Sequence, residues 1–90
     1  MLGKFAEAEQ YAQEGLSVDP QKHWIISNLA ASQLFQGKIS KARKLYKQHM
    51  KELGSQFIED LNQYTDAGIV PKEREADVKK IIIMLENRDS

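Results

Sequence analysis

Gly3-Lys4-Phe5-Ala6-Glu7-Ala8 returns 34 positions later as Gly37-Lys38-Ile39-Ser40-Lys41-Ala42, and this echo decides the fold. Further along, Tyr11 answers to Leu45 and Leu16 to Met50. Self-similarity at this period marks stacked supersecondary units, and 34 residues is the length of one helix-turn-helix class. Such a unit cannot bury its own apolar face and leans on its neighbours.

Working outward from the echo, the chain reads as helices joined by short turns. A first helix covers about Lys4 to Ser17, with Phe5, Ala8, Tyr11, Ala12 and Leu16 recurring at three- and four-residue steps. Asp19-Pro20 ends it, because proline disfavours helical geometry in the residue before it. A second helix covers about Gln21 to Gln36 with a wide apolar surface, and Gly37 caps it. A third spans about Ser40 to Leu53, with Ala42, Leu45, Tyr46, His49 and Met50 on its packing face, and is closed by Gly54. Gln56 to Asp66 forms a fourth, carrying Phe57, Ile58, Leu61 and Tyr64. A fifth starts at Pro71, a favoured first-turn residue, and carries Val78, Ile81, Ile82 and Leu85 inward. The expectation is an all-α fold of about five helices, with linkers short enough to make neighbours antiparallel.

Composition narrows the function. Ninety residues with 41% hydrophobic and 29% charged side chains make one small globular domain. The formal net charge is zero, so no overall field draws the chain to nucleic acid or anionic lipid. With no cysteine there is no disulfide framework, thiolate metal site or cysteine nucleophile. The longest apolar run, Ile81-Ile82-Ile83-Met84-Leu85, is far shorter than the roughly 20 residues of a membrane span. The start of the chain shows no signal peptide. The compartment is left open: the cytoplasm is favoured, and an extracytoplasmic location would need a leader that has been removed.

Residues 3 to 20 resemble the second helix of a tetratricopeptide repeat (TPR), with the glycine turn, the small Ala8 and Gly15, and the closing Asp19-Pro20. The next unit is similar: Leu29-Ala30 stands for the family's Leu-Gly pair, Gly37 for its turn, Ala42 for its small residue and Tyr46 for the following aromatic. The likeness covers residues 3 to 50. It implies a short right-handed α-solenoid of antiparallel helical hairpins, in one domain over 1–90. Residues 3–20 would be the second helix of a truncated repeat, 21–53 a full repeat and 55–87 a degenerate repeat or C-terminal cap. Three departures stand out. The chain begins inside a repeat. His49 takes a small-residue position, with Leu53-Gly54 in place of Asp-Pro. Beyond residue 55 the match loosens, leaving Ile58 and Leu61 as core positions and Ala76 as a small packing residue.

The resemblance also implies a function: in this family the first helix of each unit lines a concave groove that takes peptides or partner helices. Groove candidates here are Trp24, Ser27, Asn28, Ala31, Leu34 and Phe35, of which Leu34 is also a core candidate and Trp24 the most suggestive anchor. Asn28 matches one residue of the clamp by which one subclass grips a C-terminal carboxylate. Gln56 and Asp60 stand where its basic residues would be, so that clamp is not expected. The expected function is a protein-protein interaction scaffold binding a protein or peptide partner. The alternative is homodimerisation through the uncovered face around Phe5, Ala8 and Ala12.

A weaker alternative rests on Lys44, Lys47 and Lys51, a basic stripe that would meet phosphate or an acidic partner. The plainer reading is a solvated face, balanced by acids at Glu7, Glu9, Glu14 and in the C-terminal third. Nucleic acid and membrane are not expected partners. His23 and His49 form no metal-binding pattern, and there is no nucleophile elbow or phosphate loop. No catalytic residue, metal or cofactor is assigned, and the chain is not expected to be an enzyme.

Overall fold

A computed structural model describes residues 2–19 and 22–87, with the side chains of the first two of these left aside. The described residues form helices α1 (Leu2–Val18), α2 (His23–Phe35), α3 (Ile39–Asp66) and α4 (Glu75–Glu86), with a 3-10 turn at Lys72–Arg74 before α4. No strand occurs among them, and the fold is all-α. Helices pack mainly in chain order: α1 on α2, α2 on α3, α3 on α4.

The starts and ends of these helices differ in places from the sequence expectation. Pro20 and Gln21, expected to end α1 and open α2, lie outside the described residues, and α2 begins at His23. Pro71 precedes the 3-10 turn rather than opening the last helix directly. Gly37 does cap α2. At φ +87° its own N–H bonds to the Leu34 carbonyl (3.0 Å), and the Lys38 N–H bonds to that of Gln33 (2.9 Å). That double closure needs a left-handed residue, which glycine supplies without a Cβ clash. Gly68 (φ +71°) closes α3 in the same way, with bonds from Gly68 to Thr65 and from Ile69 to Tyr64.

The expected break at Leu53-Gly54 takes an unexpected form. Helical assignment runs without interruption from Ile39 to Asp66, so four α-helices stand where about five were expected. Yet a straight helix of 28 residues would be about 42 Å long. The longest extent of the whole molecule is 33 Å. The rings of Tyr46 and Phe57 meet edge to face with centroids 4.9 Å apart. Eleven residues along a straight helix separate their backbones by about 16 Å, too far for the rings to touch. α3 is therefore bent into two arms. The Gly54-Ser55 pair between those rings is the kind of sequence at which helices kink.

The second arm returns beside α2 in the same order along both segments. Ser27 Oγ donates to Asp60 Oδ2 (2.6 Å), and Tyr64 Oη donates to Asn28 Oδ1 (2.9 Å). The core lies between α2, both arms and α4, and includes Ile26, Ala30, Leu34, Ala42, Tyr46, Leu53, Phe57, Leu61, Val78, Ile81 and Leu85. Ala76, expected as a packing residue, is exposed, while Val78, expected to point inward, is buried. A smaller cluster of Ala12, Ile25 and Leu29, with Leu16 and Leu45 against it, fastens α1.

A polar knot also holds α1. Glu9, expected on a solvated face, is buried at 7% exposure. Its carboxylate accepts from Lys38 Nζ (2.7 Å), Gln36 Nε2 (2.8 Å) and Gln33 Nε2 (3.1 Å). A carboxylate leaves water at low cost only when its lone pairs are filled, and here three donors from α2 and the α2–α3 turn fill them.

Candidate functional site: an open apolar groove

Among the described residues, the packing leaves one face of α1 without a cover. Along it runs a groove of ≈ 410 Å³. α1 contributes Phe5, Ala8, Tyr11, Ala12 and Gly15, and α2 contributes Trp24, Ile25, Asn28, Ala31, Ser32 and Phe35. Tyr64 from the second arm of α3 and Ile69 from the turn after it complete the lining. None of these side chains is charged. Tyr11 is 71% and Trp24 62% exposed.

Small residues shape the trough. A Cβ added at Gly15 would stand 2.9 Å from Ile25 Cδ1, so the glycine lets α1 and α2 approach closely at this point. Phe5, Phe35 and Tyr64 form an aromatic chain with edge-to-face pairs at centroid separations of 5.1 and 5.7 Å. These rings come from α1, α2 and the second arm, and their favourable edge-to-face geometry joins the three segments at the groove.

Polar groups are few and mostly engaged. Ser32 Oγ donates to the Leu29 carbonyl (2.8 Å). The Tyr64 hydroxyl is held by Asn28 Oδ1, and burial, followed by the charge of Asp60, pushes its pKa above the ordinary phenol value. It thus remains a neutral donor across physiological pH. The bond orients the Asn28 amide, whose Nδ2 has no protein partner among the described residues. An apolar trough with an oriented amide in its wall is chemically suited to a hydrophobic segment that brings one hydrogen-bond acceptor.

Of the six groove candidates, the structure brings Trp24, Asn28, Ala31 and Phe35 to the trough. Ser27 and Leu34 do not reach it: Ser27 is buried on Asp60, and Leu34 is fully buried in the core. The face around Phe5, Ala8 and Ala12, which suggested dimerisation, is the opposite wall of this same groove. Two separate expectations thus describe one surface. Tyr11, Gly15, Ile25, Ser32, Tyr64 and Ile69 were missed. Tyr11 reads as a packing residue because its counterpart Leu45 is one, and only the absent cover exposes it. Tyr64 and Ile69 had a usable signal, since they occupy the two positions that a glycine helix cap typically brings together.

Lys44, Lys47 and Lys51 are exposed on the first arm of α3. Lys47 and Lys51 border a separate depression of ≈ 710 Å³ with His23, His49 and Glu52, while Lys44 lies outside it. Lys38, from the same basic run, is spent on Glu9. Among the described residues no group of His, Cys, Asp and Glu could hold a metal ion. Among the described residues, no helix is long and apolar enough to cross a membrane. Compared with models of protein families, with curated proteins and with solved structures, the chain matches none.

Proposed function

We propose that this chain is a protein-protein interaction module that docks a segment of a partner protein in the groove between α1 and α2. The observation that carries this reading is the open, uncharged trough with two large aromatics at its edge. Contiguous apolar surface of this kind marks interaction sites, and tryptophan and tyrosine are the commonest anchors there. We further read the fold as a short right-handed stack of tetratricopeptide-like hairpins. The 34-residue echo supports it, as does the parallel placement of α2 and the second arm, whose bonded residues Ser27 and Asp60 lie 33 apart in sequence.

Trp24 and Asn28 supply the test. Both are exposed, so replacing them leaves the core intact. Peptides selected from a random library on the unmodified chain should bind Trp24→Ala at least about tenfold more weakly, the scale of a hot-spot truncation. Asn28→Ala should give a smaller loss, and neither change should shift thermal unfolding appreciably. Unchanged affinity in both variants would place the binding surface elsewhere.

A further inference from the structure

The bend in α3 is a reversal that its own backbone does not enforce. Where this chain stops a helix, a glycine is held left-handed, as Gly37 and Gly68 are at φ +87° and +71°. Among the described residues no other position takes a positive φ, and helical geometry runs unbroken from Ile39 to Asp66. The buried residues Ala42, Tyr46, Leu53, Phe57 and Leu61 keep one helical register through the bend. A straight α3 would therefore carry one continuous apolar face, about 42 Å from end to end.

What holds the bend lies outside it. Tyr46 on Phe57, Ser27 on Asp60 and Asn28 on Tyr64 tie the second arm to the first arm and to α2. α4 follows the second arm and packs on α3. The junction itself is incompletely filled. A hollow of ≈ 500 Å³ lies beside it, lined by His23, Trp24, Glu52, Leu53, Ser55 and Gln56. Well-packed interiors leave few such voids, so the bend is not wedged in place by its surroundings.

We propose that two copies of this chain form a dimer by exchanging residues 56–86, with α3 straight through Gly54-Ser55 in each. The second arm and α4 of one copy pack on α2 and the first arm of the other, across a two-fold axis. Every contact that closes the bend is formed again between copies, so the main cost is association entropy, and the bend is relieved. Closure within one chain competes with closure between two, and a short connection sets that competition on the order of millimolar.

The exchange does not depend on what docks in the groove, but it changes how the groove is built. Tyr64 and Ile69 lie beyond the bend in sequence. Each groove of the dimer thus combines α1 and α2 of one copy with these two residues of the second copy. Two grooves in one particle give avidity for a partner that carries two matching segments.

The test refolds the chain from urea at about 1 mM and separates monomer from dimer by size-exclusion chromatography. With no native cysteine, Lys41→Cys and Asn62→Cys can carry a pair of spin labels, at exposed positions on the two arms. Refolding labelled chain with a large excess of unlabelled chain makes dipolar spectroscopy read the separation within one molecule. The dimer should show the about 32 Å of a straight helix, and the monomer a clearly shorter distance. Gly54→Ala should raise the dimer fraction at fixed concentration severalfold, because glycine weakens a helix interior that alanine favours. Ser55→Ala, at an exposed position, should raise it by less, with helical circular dichroism kept in both variants.

The absence of a dimer in the unmodified chain and both variants at that concentration overturns the exchange. A dimer whose intramolecular distance equals that of the monomer overturns it as well, and places the contact on a surface of the unexchanged fold.

Discussion

Glu9 illustrates what one residue does to the molecule and why its role was hard to read. The echo places it opposite Arg43, an exposed cation, so nothing in the pattern marks the position as interior. Its burial comes from donors that converge only after folding, Gln33 and Gln36 near the end of α2 and Lys38 at the start of α3. The Lys38 hydrogen bond outweighs the desolvation that burial imposes, and the carboxyl pKa lies below its ordinary 4.5. The folded chain thus binds this proton more weakly than the unfolded chain. The stabilisation is complete above the ordinary value and is lost as pH falls through the lowered one. Glu9→Gln should cost about 1–3 kcal/mol at neutral pH, the range for disrupting a buried hydrogen-bonded group. Urea midpoints of variant and wild type should converge at low pH, and a constant difference down to pH 3 would refute this account.

At the scale of elements, helix placement was largely legible, and the manner of the α3 reversal was not. The apolar steps from Ala42 through Tyr46 and Leu53 to Phe57 and Leu61 stay on one helical face, so periodicity alone points to a continuous helix. Gly54 suggested a cap. Among the described residues, however, only Gly37 and Gly68 take positive φ, so Gly54 serves a bend rather than a left-handed stop. The bend is held by tertiary contacts, chiefly Tyr46 on Phe57 and the second arm on α2, which no local window contains. Phe57 is fully buried at this junction. Phe57→Ala should cost about 3–5 kcal/mol, as truncating a core aromatic does. In a domain this small that is a large share of the total stability. Chemical denaturation should show a lower midpoint, and a loss under about 1 kcal/mol would mean that the fold-back stands on something else.

For the molecule as a whole, the all-α architecture and half of the groove could be read from the echo, while the other half depended on what is missing from the packing. Sequence periodicity reports which face of α1 is apolar, but it cannot report whether that face is covered. Tyr11 and Ala8 have the residue types of packing positions and the exposure of surface ones. Ser27 and Leu34 are placed otherwise: both lie on α2 with the residues that line the trough, but the second arm and the core claim their side of the helix.

The order of packing has a kinetic consequence. Each helix rests mainly on the one just before it in the chain, so few loops must close over long distances before contacts form. Low contact order of this sort goes with folding in microseconds to milliseconds. Refolding followed by tyrosine and tryptophan emission should complete its main phase within about that range, and a main phase lasting seconds would contradict the neighbour-by-neighbour assembly. During synthesis each helix after α1 would find its main partner already made.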